Sequence, residues 1–471
     1  MQERAGDYFE DKEMASNVKR YEAMMKSGVF TYFDVEEIEN VINFYIDNNQ
    51  LKKAQEACAS GLSIHPTSQE LKLKNAQIYV GRGLANEALQ WLNKVKELGE
   101  GSHEYCLTKG MAMVLLNNAE KAEKYFNAAL NLVTELDRED ALFNIGDALE
   151  NSGNYILAIE YYEIGCNVNP ENEEFYFRLG FCYDRSGIYE KSIYFYQKYL
   201  DFNPFSENVW YNLGIIYNKI EDYKSSIDAY EYAIALDNTH YDALFNKANA
   251  LANFELHNEA IAAYQEYLEL HENSLTAKYY IGECYIQLKE FDKALEYFDA
   301  ILIENAEFAE AYYGKAMVYD DLARYDEAIE LYYKAIELDA ENTDAWFSMG
   351  SLFVKLERFE EAVNAFNQAV AINKFDIEAW LLNAETYDKM DNTAQSIGLL
   401  IEAVDFLPDS SDILYALSAY YYKSGNWELG LQWFKNAFEL DDENFEMVFK
   451  IYPEAEKNKE IMKLIGSIKK S

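Results

Sequence analysis

The sequence predicts an all-α chain built as a solenoid of helix–turn–helix units. Three observations carry this. The same residue types return every 34 residues over most of the 471-residue chain. Two fixed places are held by small residues in every repeat but the first, with aromatic residues beside them. No run alternates apolar and polar residues with the period of a strand, so no β-structure is expected.

Repeats begin at Val35, Gln69, His103, Glu139, Glu173, Glu207, Tyr241, Leu275, Ala309, Thr343, Ile377 and Ser411. Every step is 34 residues except the third, which is 36 and absorbs two extra residues near Glu135–Arg138. The eighth place reads Ala76, Gly110, Gly146, Gly180, Gly214, Ala248, Gly282, Ala316, Gly350, Ala384 and Ser418, and only Ile42 departs from smallness. The twentieth place is small in all twelve repeats, from Ala54 to Gly430. Small residues at both places let two helices approach closely, and a larger side chain would overpack the contact by about 1–3 kcal/mol. Aromatic residues dominate the eleventh place (Tyr183, Tyr217, Phe353) and the twenty-fourth (Tyr162, Tyr196, Phe366), filling the space beside the small ones.

Boundary signals share the period. The first helix ends at turns such as Ser152-Gly153, Ser186-Gly187 and Ser424-Gly425, where glycine can take the left-handed conformation. Pro66, Pro170, Pro204 and Pro408 follow the second helix. N-cap residues come next: Ser68, Ser102, Asn172, Ser206, Ser274, Asn342, Asp376 and Ser410.

This period and pattern, running from Val35 to Asn444, resemble the tetratricopeptide repeat family. The resemblance implies a right-handed superhelix whose concave groove is lined by the first helix of each repeat. The chain then divides into an acidic arm and capping helix (1–34), twelve repeats (35–444) and a C-terminal capping helix (445–471). The N-terminal part is expected to hold a polar arm, Met1–Glu13, followed by a short helix near Asn17–Lys26. The arm is either a disordered tail or an occupant of the groove. The last segment is amphipathic, with Ile461, Leu464, Ile465 and Ile468 at helical spacing. It serves either as a cap or as a dimerisation helix.

Charge and composition restrict function. Lys+Arg is 41 against Asp+Glu 83, a net charge of −42, and no basic cluster exists beyond Lys469-Lys470. Nucleic acid is therefore not expected as a partner. The acidity suits solubility or a bias toward basic partners. The five cysteines include no CxxC pair and read as buried thiols in a reducing, cytoplasmic setting. The N-terminus lacks the apolar stretch of a signal peptide, and no run is long enough to span a membrane. His65, His103, His240, His257 and His271 fall in no metal-ligand spacing, and no nucleotide-binding or nucleophile motif occurs. No catalytic residue, metal site or cofactor is expected, and the chain is not read as an enzyme.

On a helical wheel the second, fifth, ninth and twelfth places form a stripe beside the core, predicted to face the groove. The fifth place is aromatic at Phe143, Phe177, Tyr211, Phe245, Tyr279, Tyr313, Phe347 and Tyr415, with Leu381 between the last two. These rings are either a ladder open to apolar or aromatic ligand side chains or packing against neighbouring helices. Asn144, Asn212 and Asn246 follow at the sixth place, and Asn249 lies three residues after Asn246. Asparagine can hold a peptide backbone through one donor and one acceptor. That arrangement is similar to the asparagine ladder of O-linked N-acetylglucosamine transferases, with gaps here at Arg178, Tyr280 and Gly314. The alternative is that asparagine is simply a tolerated polar residue. Acidic residues occupy the second place in ten repeats and would repel a C-terminal carboxylate, which argues against the carboxylate-clamp mode of chaperone-binding relatives. The expected function is a scaffold or adaptor that binds a protein or peptide, basic or apolar and aromatic in character, in its groove. The alternative is a self-associating structural protein that forms a homodimer through terminal or outer-face helices.

Overall fold

The structure is a computed structural model and describes residues 3–95 and 99–468. Every regular element among these residues is helical. Contacts divide the chain into two units, Met1–His240 and Tyr241–Ser471.

The first unit opens with a helix of 25 residues, Glu3–Ser27. It replaces the expected arm and short helix near Asn17. No proline interrupts the stretch, and the helix continues through the residues read as a tail. Val18 and Tyr21 are buried among Ile38, Val41, Tyr45 and Cys58, and Arg20 pairs with Glu37 at 2.6 Å. Asp34 and Glu37 form a reciprocal capping box at the next helix, Val35–Asp47.

Six helix pairs follow in this unit, and the second unit contains six more. First helices start at the repeat boundaries read from sequence, except that the fourth starts one residue earlier at Arg138. Within each unit, the two helices of a pair pack on each other, and the second helix packs on the first helix of the next pair. The eighth-place glycines mark the tightest approach inside a pair. A Cβ on Gly146 would lie 2.3 Å from the Tyr162 ring, and one on Gly180 would lie 2.6 Å from Tyr196. Where the twentieth place is serine, its hydroxyl donates across the same seam, as from Ser192 to the Gly180 carbonyl at 2.6 Å and from Ser226 to the Gly214 carbonyl at 2.8 Å.

The turn between paired helices follows one geometry throughout. The fifteenth residue of each repeat has positive φ, from Asn49 at +53° to Gly425 at +84°. The sixteenth N–H returns to the eleventh carbonyl, as from Ile188 to Tyr183 at 3.0 Å and from Arg324 to Tyr319 at 2.8 Å. Glycine occupies only Gly83, Gly153, Gly187 and Gly425 of these sites, so the turn is more uniform than its sequence. Seven of the eight expected N-cap side chains accept a hydrogen bond from their helix; Ser206 does not.

At the C-terminus, Ile461 and Ile465 are buried among Leu414, Tyr415, Tyr422 and Phe434, with Leu464 packed on the same cluster. The side chain of Ile468 lies outside the described residues. The apolar face of this terminal helix is thus used within the chain. No helix among the described residues is long and apolar enough to cross a membrane.

Candidate functional site

The fifth-place rings sit at the edge of the core. In each repeat that has one, the ring rests on the twenty-fourth-place ring of the same pair. Phe143 meets Tyr162 at 6.0 Å, Phe177 meets Tyr196 at 5.9 Å and Tyr211 meets Tyr230 at 5.9 Å. In the second unit the same contact joins Phe245 to Tyr264 at 5.7 Å, Tyr279 to Phe298 at 5.8 Å, Tyr313 to Tyr332 at 6.0 Å and Phe347 to Phe366 at 5.8 Å. Packing thus accounts for one side of every ring. Phe143, Phe177, Tyr211, Phe245, Tyr313 and Phe347 remain partly exposed. Tyr279 and Tyr415 do not. Tyr279 is closed over by Tyr280 and Phe308, and Tyr415 is fully buried against Phe434 while donating to the Asp441 carbonyl at 2.5 Å. These two residues of the expected ladder are core.

The sixth place has a different job from the one its asparagines suggested. It covers the twenty-fourth-place side chain of the preceding pair. Asn212 donates from Nδ2 to the Tyr196 hydroxyl at 3.3 Å, and Tyr280 stacks on Tyr264 at 5.8 Å with 13° between planes. A Cβ on Gly314 would lie 2.4 Å from Phe298, so no side chain fits there. Arg178 completes the set with a guanidinium over the Phe143 ring at 5.5 Å. Its Nη1 donates to Glu150 at 2.8 Å and its Nε to Glu174 at 3.0 Å, while the Tyr162 hydroxyl donates to the other Glu150 oxygen at 3.0 Å. Arg178, Asn212, Asn246 and Tyr280 thus follow a tyrosine in the preceding pair and Gly314 follows a phenylalanine, whereas Asn144 follows Phe126 and stays exposed. Aligning the twenty-fourth place with the sixth place of the next repeat would have shown this in the sequence. Asn249 is likewise engaged, accepting from the Tyr264 hydroxyl at 2.5 Å. Asn246 is partly buried, and of the four asparagines only Asn144 is exposed.

The second-place Glu70 accepts from the Ser68 hydroxyl at 2.9 Å, and the first-place Glu139 serves local structure as well. Glu139 accepts from Asn169 at 2.9 Å and from Asn172 at 2.6 Å, tying the end of one pair to its start. Successive first helices are also joined by lysine–aspartate pairs 35 residues apart: Lys219 with Asp184 at 2.7 Å, Lys355 with Asp320 at 3.0 Å and Lys423 with Asp388 at 2.6 Å.

The second unit contains two sizeable cavities on its first helices. One, of about 520 Å³, is lined by residues that include Asn253, His257, Tyr264, Tyr280, Glu283 and Gln287. The other, of about 540 Å³, lies between Leu381, Leu382, Glu385, Tyr420, Met447 and Ile451. His257 lines the first cavity, and its Nδ1 is buried without a partner. Among the described residues, no group of three or more His, Cys, Asp or Glu is placed to hold a metal ion.

Family profiles described as tetratricopeptide repeat match residues 139–172, 211–274, 255–318 and 321–386. The chain belongs to the tetratricopeptide-repeat family. Its helix pairs are this family's units, and the fold is that of a protein-interaction scaffold. No curated protein matches the chain. Among solved structures it is similar to MamA from Desulfovibrio magneticus RS-1, at 20% identity over 36% of this chain and 97% of that one, with a TM-score of 0.30. It is similar to YrrB, described as a tetratricopeptide-repeat protein with an unusual peptide-binding site, at 22% identity over 42% of this chain and 98% of that one, with a TM-score of 0.33. The hetero-tetramer Cut9-Hcn1 matches at 16% identity over 88% of this chain and 95% of that one, with a TM-score of 0.39.

Proposed function

We propose that the chain binds extended protein segments along the faces of its first helices. The observation that carries this reading is the row of partly exposed rings, Phe143, Phe177 and Tyr211 in the first unit and Phe245, Tyr313 and Phe347 in the second. Each ring is held from behind by a buried ring, so it presents a fixed apolar edge at little conformational cost. Packed helices lie about 8–10 Å apart. A segment in the polyproline II conformation advances about 3.1 Å per residue and returns to the same face every third residue. A ligand laid along successive pairs would therefore offer a side chain to each ring roughly every third residue. The surrounding acidity favours basic residues between these anchors.

The test is selection from a random peptide library displayed on phage, panned against the full chain. The expected result is enrichment of apolar or aromatic residues at a spacing of about three, with binding reduced by the double variant Phe177→Leu, Tyr211→Leu. Leucine keeps most of the packing on Tyr196 and Tyr230 while removing the ring edge. No enrichment, or selected peptides that bind the variant equally well, would remove the first-helix faces as the binding surface.

A further inference from the structure

The 520 Å³ cavity of the second unit is chemically unbalanced. Its lining includes two carboxylates, Glu255 and Glu283, and neither lysine nor arginine. Glu283 is mostly buried and receives one hydrogen bond, from the Tyr279 hydroxyl at 2.7 Å. Burial raises its pKa above the ordinary carboxylate range; the Tyr279 bond opposes this and Asp344 adds to it. Compare Glu150 in the first unit. That carboxylate is also largely buried, but the Arg178 guanidinium answers it at 2.8 Å. At Glu283 the corresponding cation is missing from the lining. His257 also lines the cavity, and its buried Nδ1 has no partner. The Tyr264 and Tyr280 rings, stacked at 5.8 Å, provide an aromatic wall.

We propose that this cavity receives the side chain of an arginine from a bound protein segment, with its guanidinium on the Glu283 carboxylate and against the Tyr280 ring. The inference rests on the reading that first-helix faces bind protein segments. Guanidinium fits better than ammonium for two reasons. Its planar fork can give two parallel hydrogen bonds to one carboxylate. It also stacks on aromatic faces and is more weakly hydrated, so it enters a partly buried site more readily. A cation there would restore to Glu283 the pairing that Arg178 gives Glu150.

The test uses the full chain with ¹³C-labelled methionine methyls and Nα-acetyl-L-arginine amide as the probe. Met317 lines the cavity and reports on its occupancy. The expected result is a saturable shift of the Met317 methyl resonance. Nα-acetyl-L-citrulline amide, with nearly the same shape and no charge, should bind about tenfold more weakly or worse, as loss of a charge-assisted bidentate pair implies. Glu283→Gln should weaken the arginine probe to the same degree, and Tyr280→Leu should weaken it independently. No shift, equal binding of the citrulline probe, or an unchanged affinity in Glu283→Gln would overturn the proposal. Equal binding of Nα-acetyl-L-lysine amide would overturn the guanidinium assignment. Failure here is separable from failure of the broader reading. Display-selected peptides that bind Glu283→Gln as tightly as the wild type would leave the first-helix faces standing and remove the arginine pocket. A Met317 shift with no selected peptides would do the reverse.

Discussion

Replacing Ala323 by glycine should stabilise the chain, and replacing Gly187 by alanine should destabilise it by a similar amount. Both residues hold the fifteenth place of a repeat, with φ of +56° and +73°. A left-handed backbone costs an L-residue about 1–2 kcal/mol through the clash of Cβ with the following carbonyl. Glycine avoids that cost but brings a more flexible unfolded chain, which returns about 0.4–1 kcal/mol. The balance favours glycine by about 0.5–1 kcal/mol at each site. Packing does not confuse the comparison, because a Cβ added at Gly187 would meet nothing within 4 Å. The hydrogen bonds of the two turns match, with Ala323 N–H to the Asp320 carbonyl at 2.9 Å and Gly187 N–H to Asp184 at 2.9 Å. Stacked helix pairs couple mainly to their neighbours, so a single unfolding midpoint can dilute a local change. The assay is therefore amide hydrogen exchange in the two helices flanking each turn, alongside urea unfolding. Slower exchange around Ala323→Gly and faster exchange around Gly187→Ala are expected. A neutral Gly187→Ala, or a destabilising Ala323→Gly, would refute the view that backbone conformation alone decides this position.

Gly146→Ala should lower stability by about 1–2 kcal/mol, in the lower part of the range for overpacking. The added Cβ would sit 2.3 Å from the Tyr162 ring, yet the ninth repeat holds Ala316 opposite the buried Tyr332, so a small helix shift can absorb it; urea unfolding reads the size. Asn212→Leu should cost about 1–3 kcal/mol by leaving the buried Tyr196 hydroxyl without its partner, whereas the exposed Asn144→Ala should change stability by under about 0.5 kcal/mol. A neutral Asn212→Leu would break the link between the sixth and twenty-fourth places. Glu283→Gln should stabilise the chain more at mildly alkaline than at acidic pH. Burial raises the folded pKa of Glu283, so between the unfolded and folded values the folded chain keeps a proton that the unfolded chain has released, and stability falls as pH rises through the folded value. Thermal unfolding of both proteins across pH checks this, and a difference that shrinks with rising pH would contradict it.

The helix pairs were legible because the constraint that builds them acts at fixed spacing. The eighth and twenty-fourth places must share one contact, and every repeat after the first solves it with small against large, as in Gly180 beneath Tyr196, while the first reverses the sizes with Ile42 and Cys58. Sequence shows such pairings directly. The N-terminal helix was read too short because it belongs to no repeat, so no period could set its start. The uniform turn was only partly visible. Gly187 announces a left-handed residue, but Glu221, Glu255 and Ala323 adopt the same conformation without any compositional sign, because the helices on either side fix it.

The surface stripe was harder to read, for a reason the sixth place makes plain. A helical wheel assigns a residue to a direction, and it treats each repeat as if alone. Asn212 lies beside the predicted stripe, next to the fifth-place Tyr211, and its amide is taken by Tyr196 of the preceding pair. The same reasoning separates Tyr279 from Phe245. Both are fifth-place rings on equivalent helices, but Phe308 and Tyr280 close over Tyr279. Exposure at such a position depends on a neighbour on the same helix and on a side chain from the link to the next one, and a wheel of the first helix alone does not contain that information. Glu283 extends the point to charge. One among 83 acidic residues carries no signal in composition. Its distinction comes from what surrounds it: burial, one tyrosine donor, and an adjoining cavity with no cation in its lining. An acidic chain can spread most of its carboxylates over solvated faces at little cost, so the informative one is the carboxylate that water cannot fully reach and that no arginine of its own chain answers.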